Sequence, residues 1–110
     1  MVCMRRPFER FRSSLTSDNL WIYILLLLKK KDMYPYEIQK EVKENFDFMP
    51  GNMTAYIVLK RLSAERYIKT AKVVKEKGPA KTYYSITEKG EKELQKARKF
   101  HKKLGKMLDR

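Results

Sequence analysis

The sequence predicts a mainly α fold with a small β-hairpin: a winged helix-turn-helix with an additional C-terminal dimerisation helix. Three observations carry that prediction. Residues 52–62, N-M-T-A-Y-I-V-L-K-R-L, repeat apolar side chains at the 3.6-residue spacing of an amphipathic helix. Two strand-like runs follow, I-K-T-A-K-V-V-K-E-K and K-T-Y-Y-S-I-T, joined at a G-P tip by what reads as a tight basic turn. The chain then closes on a helix with a heptad-like apolar seam. A helix followed directly by a Lys-rich hairpin is how a winged-helix module presents itself to DNA.

Composition limits what the protein can do. The 110 residues suit one domain with a modest core, too small for a two-domain enzyme. A formal net charge of +13 predicts attraction to polyanions. The single Cys3 excludes an internal disulfide and a multi-Cys zinc site, and one histidine, His101, cannot complete a metal cage with it. The longest apolar run, Leu20 to Leu28, is far shorter than the roughly 20 residues of a membrane helix. It also follows a polar T-S-D-N segment too deep in the chain for a signal peptide. The expectation is a cytoplasmic protein with no metal, no cofactor and no membrane partner. No nucleophile–base pair or phosphate-binding Gly loop can be assembled from these residues, so no enzyme is expected.

The elements follow in order. Residues 1–15 form a basic N-terminal arm, R-R-P-F-E-R-F-R, with Phe8 and Phe11 spaced for one helical face. That arm can pack on a partner or touch phosphates. Residues 16–87 are expected to be the winged-helix domain. Its first helix begins near Thr16, Ser17 or Asp18, any of which can cap it, and runs through L-W-I-Y-I-L-L-L-L to Lys29–Lys31. Apolar residues all round imply a central core helix or one shared with a partner chain, with Trp21 a candidate for that interface.

After the Asp32–Tyr34 link, Pro35 suits the first turn of a second helix reaching about Phe46, with Ile38, Val42 and Phe46 inward. Its Glu and Lys residues make it a supporting element rather than a basic one. F-D-F-M-P-G forms a loop, and Gly51 or Asn52 caps the third helix.

In the third helix Ala55, Val58, Leu59 and Leu62 mark the core face. Met53, Thr54, Ile57, Lys60, Arg61 and Ala64 point away, with Tyr56 at the margin. A face mixing a hydroxyl, apolar contacts and cations can read base edges and bind phosphates. In the hairpin, Thr82, Tyr84 and Ile86 share a face. Lys69, Lys72, Lys75, Lys77 and Lys81 against Glu76 leave a surplus of four positive charges. Residues 88–110 form the last helix, capped by Thr87 and running to about Leu108. Leu94, Ala97, His101, Leu104 and Leu108 make its seam, flanked by Phe100 and Met107, and dimerisation is the outlet expected for it.

These residues carry a resemblance. M-Y-P-Y-E-I (residues 33–38), T-A-Y-I-V-L-K-R-L (54–62) and K-T-Y-Y-S-I-T-E-K-G (81–90) resemble the PadR family of winged-helix transcriptional regulators, from about Leu15 to Leu94. Three positions depart from it. Pro35 and Met53 stand where that family usually or often has Gly, and Arg66 or Tyr67 stands where it favours Gly before the first wing strand. The resemblance implies a homodimeric repressor on a pseudo-palindromic double-stranded operator. It implies Tyr36, Thr54, Tyr56 and Lys60 as DNA-facing residues, Asn52 at the helix N-terminus, and Lys77 and Lys81 on the wing. Two alternatives stand beside it: a non-specific chromatin-type DNA binder, and a sensor that takes an aromatic small-molecule effector at the dimer interface.

Overall fold

The computed structural model describes residues 6–110, so Cys3 and the first five residues of the basic arm lie outside the described residues. Five helices and one hairpin follow in the order α1 (Pro7–Leu15), α2 (Leu20–Lys30), α3 (Pro35–Phe46), α4 (Asn52–Ala64), β1 (Ile68–Val74), β2 (Lys81–Ile86) and α5 (Glu88–Leu108). A single 3-10 turn, Ser17–Asn19, joins α1 to α2. The third helix of the sequence reading is therefore α4, because the arm itself folds as a helix with Pro7 in its first turn.

The core is built on α2. Leu20, Ile24, Leu25, Leu27 and Leu28 are buried against Ile38 and Val42 of α3, Ala55, Leu59 and Leu62 of α4, Ile68 of β1 and Leu94 of α5. Each such side chain contributes about 2 kcal/mol of transfer free energy. The helix is not buried on every side, however. Trp21, Ile22, Tyr23 and Leu26 are only half-buried, leaving one apolar flank open.

The start of α2 differs from expectation. None of Thr16, Ser17 or Asp18 caps it; the N-cap position is Asn19, without a side-chain cap bond. Thr16 Oγ1 instead donates back to the Arg12 carbonyl at 2.8 Å, closing α1. Asn19 is used sideways, its Oδ1 accepting from Trp21 Nε1 at 3.1 Å. A polar residue near a helix start has several backbone and side-chain partners within reach, and the α1–α2 corner decides among them.

The wing contains two features that residue types alone do not announce. Met33, in the α2–α3 link, exchanges two backbone hydrogen bonds with Tyr84 at 3.2 and 2.9 Å, adding a one-residue third strand to the hairpin. Within the antiparallel pair the register runs Ile68↔Ile86, Lys69↔Ser85, Thr70↔Tyr84, then Lys72↔Tyr83, Val73↔Thr82 and Val74↔Lys81. Ala71 is an extra residue, a β-bulge. The strands are joined by the six-residue loop 75–80, with Gly78 at φ 82°, rather than by the tight turn expected.

The base of the wing is tied to both neighbouring helices. Arg66 N–H donates to the Ser63 carbonyl at 3.0 Å and Tyr67 N–H to the Leu62 carbonyl at 2.9 Å, with Arg66 left-handed at φ 65°. This is a Schellman C-cap, and Arg66 occupies the residue in it that favours glycine. Thr87 caps α5 as expected, accepting from Gly90 N–H at 3.1 Å. Its hydroxyl also donates to the Arg66 and Tyr67 carbonyls at 2.7 and 3.0 Å. The end of α4 and the start of α5 thus share one hydrogen-bonded junction.

Candidate nucleic-acid interface

Helix α4 is set by its inner face and by one amide. Gln39 is buried beneath its N-terminus, donating from Nε2 to the Pro50 carbonyl at 3.2 Å and to Asn52 Oδ1 at 2.7 Å. A buried amide left without partners would cost about 1–3 kcal/mol, so this pair holds the α3–loop–α4 angle. Asn52 therefore acts as a brace between the helices as well as an exposed residue at the α4 N-terminus. Sequence reasoning missed Gln39, which lies beside the Ile38–Val42 stripe, three residues before the inward Val42.

The outer face of α4 divides into a front and two shoulders. Met53, 70% exposed, leads the front with Ile57 and Lys60. Tyr56 forms one shoulder, 57% exposed rather than marginal, with Lys60 Nζ 5.5 Å from its ring centroid. Thr54 and Arg61 form the other, where they and Ile57 line an open groove with Ser17, Asp18, Trp21, Glu65 and Glu93. Arg61 Nε lies 3.8 Å from Glu65 Oε2, one turn further along the helix. Glu65 beside Arg61, with Asp18 and Glu93 lining the same groove, makes that shoulder less attractive to phosphate than the Tyr56–Lys60 side.

Tyr36 stands exposed in the first turn of α3. Lys75 and Lys77 lie in the wing loop and Lys81 opens β2; all three are exposed. On the outer face of the wing, Lys81 Nζ lies 4.8 Å from the Tyr34 ring centroid and Lys72 Nζ 4.7 Å from that of Tyr83. The two rings meet edge to face at 5.3 Å.

A second exposed surface lies along α5. Leu94 does not belong to it: at 1% exposure it is sealed in the core, so it anchors α5 to its own domain and offers nothing to a partner. Because Leu94 packs into the core with the buried side chains of α2, the dimerisation outlet expected for the whole seam fails for the first two turns of α5. Beyond them, Ala97 and Leu104 are half-buried, His101 is exposed, and Phe100, Met107 and Leu108 are exposed apolar groups. Ala97, Phe100, His101 and Leu104 border, with Leu15, Trp21, Ile22 and Leu26, an open groove of about 690 Å³, and Met107 and Leu108 lie beyond it on the last turn of α5. His101 stands at that groove, with no second ligand-type cluster near it: among the described residues no group of three or more His, Cys, Asp or Glu could hold a metal.

Among the described residues no helix is long and apolar enough to cross a membrane. Of the ionisable groups, Tyr23 is perturbed: burial raises its hydroxyl above the usual value of 10.0. That hydroxyl donates to the Leu15 carbonyl, and the ring packs against Phe46 at 4.8 Å and Phe48 at 5.2 Å.

Residues 24–96 match the model of the transcriptional regulator PadR-like family. No curated protein sequence matches the chain. A PadR family transcription regulator from Clostridium difficile R20291 is 31% identical, with 81% of this chain and 93% of that one covered and a TM-score of 0.72. A transcriptional regulator from Clostridium thermocellum is 28% identical over 88% of this chain and 96% of its own, with a TM-score of 0.77. Bacillus subtilis PadR, solved in complex with operator DNA, is 26% identical with a TM-score of 0.64, covering 74% of this chain and 47% of its own.

Proposed function

From the premise that this chain belongs to the PadR-like family of transcriptional regulators, a family of regulators rather than enzymes, we propose that it is a sequence-specific DNA-binding repressor. It acts in the cytoplasm as a homodimer on a pseudo-palindromic operator. Met53, Thr54, Tyr56, Ile57 and Lys60 of α4 read the major groove, and Lys75, Lys77 and Lys81 neutralise neighbouring phosphates. Tyr36 and Asn52 contact the backbone at the starts of α3 and α4. Arg61 sits at the edge of this footprint, beside Glu65.

The observation that carries the reading is the pairing of two unsatisfied surfaces. One is a recognition-type helix with an exposed mixed face next to a cationic wing. The other is the apolar groove between α2 and α5, which a second copy fills with Phe100, Met107 and Leu108 to place two wings on one duplex. Half-sites one DNA turn apart, about 34–36 Å, would then match the protein's two-fold axis. The resemblance to a regulator solved in complex with operator DNA supports the DNA-binding part of this reading.

Binding-site selection from random duplexes at two salt concentrations tests this. A recovered inverted repeat is expected. Recovery of no motif, with a steep salt slope, would favour the non-specific binder instead. Lys77→Ala with Lys81→Ala should weaken every duplex, whereas changes at Thr54 and Tyr56 should alter sequence preference. A second reading has its own observation: the groove bordered by Trp21, Phe100 and Leu104 has the volume and apolar lining of a small-molecule site. An aromatic effector held there would report to the DNA through the dimer geometry. Quenching of Trp21 fluorescence by a panel of planar aromatic compounds tests it; no saturable quenching would dismiss it.

A further inference from the structure

We infer that the outer face of the wing is a preorganised phosphate clamp, in which Tyr34 and Tyr83 position the ammonium groups of Lys72 and Lys81 for the DNA backbone. The inference rests on the DNA-binding reading above and adds three residues to it: Tyr34, Lys72 and Tyr83.

The backbone puts these side chains together. Side chains alternate along a strand, so an uninterrupted β1 would place Lys72 on the same face as Ile68 and Thr70, towards the helices. The bulge at Ala71 removes that outcome. It pairs Lys72 with Tyr83, so both side chains share the outer face, and Lys81, two residues before Tyr83, shares it too. Tyr34 arrives from the other side, because the bridge between Met33 and Tyr84 sets the α2–α3 link against β2. Four side chains from three segments thus form one cluster, Lys72–Tyr83–Tyr34–Lys81, with contacts of 4.7, 5.3 and 4.8 Å.

The choice of partner for these lysines is informative. Lys31, Lys92 and Lys96 each lie within salt-bridge distance of a glutamate, which cancels their charge locally. Lys72 and Lys81 instead lie over aromatic rings. A ring face restrains an ammonium group without neutralising it, so the full positive charge remains for an incoming anion. The remaining paired positions of this face, Lys69, Val74 and Ser85, carry no carboxylate. Two lysines held in place lose less side-chain freedom on binding than two free ones, and that difference appears as affinity. A phosphate oxygen can reach each ammonium from the side opposite the ring, through the donors left free. The tyrosines are positioning residues, since the lysines make the contact.

The test measures binding to a fluorescently labelled mixed-sequence duplex across a salt series, for wild type, Lys72→Ala, Tyr83→Leu, Tyr83→Phe and Tyr34→Leu. Lys72→Ala should lower the slope of log K against log salt by about one. Tyr83→Leu and Tyr34→Leu should weaken binding about two- to fivefold at low salt, whereas Tyr83→Phe, which keeps the ring face, should match wild type. In the free protein, the Lys72 side-chain methylene protons should be shifted upfield by the ring in wild type and Tyr83→Phe. They should return to ordinary positions in Tyr83→Leu. A thermal melt separates positioning from folding, because a merely structural tyrosine would lower the melting temperature without changing the Lys72 spectrum or the Lys72→Ala slope. Lys72→Ala and Tyr83→Leu proteins that bind like wild type would overturn the clamp alone. Wild-type protein whose binding does not depend on salt would overturn the clamp and the DNA reading together.

Discussion

Replacing Gly90 by Ala should destabilise the protein by about 1–3 kcal/mol, although alanine is the better helix former. Gly90 lies in the first turn of α5, where that helix crosses the base of the wing. A Cβ there would fall inside the contact radius of the Tyr67 carbonyl oxygen, 2.8 Å from Ile86 Cγ1 and 3.2 Å from the Tyr67 carbonyl carbon. Real Cβ contacts essentially never come within 3.0 Å, and the first obstacle is backbone, so no rotamer change relieves it.

The Tyr67 carbonyl cannot retreat freely either. It accepts from Thr87 N–H at 3.1 Å and from Thr87 Oγ1 at 3.0 Å, inside the junction that joins α4 to α5. Overpacking of this kind costs about 1–3 kcal/mol. Weakening one of those hydrogen bonds adds about 1 kcal/mol. The gain in helix propensity offsets at most about 1 kcal/mol. Urea unfolding followed by circular dichroism, with the m value checked for constancy, measures the difference. The melting temperature should fall by about 10 °C. A Gly90→Ala protein as stable as wild type would refute the tight α5–wing junction and with it the placement of the last helix.

Three further outcomes follow from other sites. Arg66→Gly should stabilise by about 0.5–1 kcal/mol, because a left-handed residue costs about 1–2 kcal/mol and glycine's freedom in the unfolded chain returns only part of that; an unchanged urea midpoint would contradict the C-cap geometry. Tyr23 has a folded-state pKa raised above 10.0 by burial, so its contribution to stability is complete below pH 10 and is lost as pH rises through the folded value. Tyr23→Phe should therefore show a shallower alkaline loss of stability than wild type, and parallel curves would refute the burial of that hydroxyl. Phe100→Asp with Leu108→Asp should yield monomers in analytical ultracentrifugation while leaving the melting of the domain within about 0.5 kcal/mol, since both side chains are exposed; a dimer that persists would relocate the interface.

Much of the fold is legible because local chemistry and tertiary demand agree. Pro35 at the start of α3, Thr87 at the start of α5 and the inward stripe of α4 each have one favourable place, and the structure uses it. The family assignment was legible for the same reason, since its motifs sit at these junctions. Where several placements have similar local energies, the sequence is silent. Thr16, Ser17, Asp18 and Asn19 all suit the start of α2, and the α1–α2 corner selects Asn19. The weak alternation along residues 68–77 is the trace of the bulge at Ala71, visible in the pattern but not assignable to a residue without the partner strand. Leu94 reads as part of a heptad seam, yet packing against α2 claims it first. Gln39 was passed over because a polar residue beside an apolar stripe ordinarily faces water; only its distance to Pro50 and Asn52 reveals its role.

The wing holds a surplus of four positive charges out of a net +13, while residues 96–110 contain seven Lys or Arg against Asp109. A dimer built on α5 therefore brings like charges together, and screening at higher salt should strengthen self-association while it weakens DNA binding. The opposite signs of the two effects separate the interfaces without any mutation.

In the proposed complex two winged helices, held by one dimer, read two half-sites of a single duplex. The most direct measurement compares the affinity for the selected inverted repeat with that for the same repeat after five base pairs are inserted between its half-sites. That insertion turns the second half-site to the far side of the DNA. The dimeric reader should then lose most of its specific affinity and retain the salt-dependent remainder. Equal affinity for both spacings would contradict it.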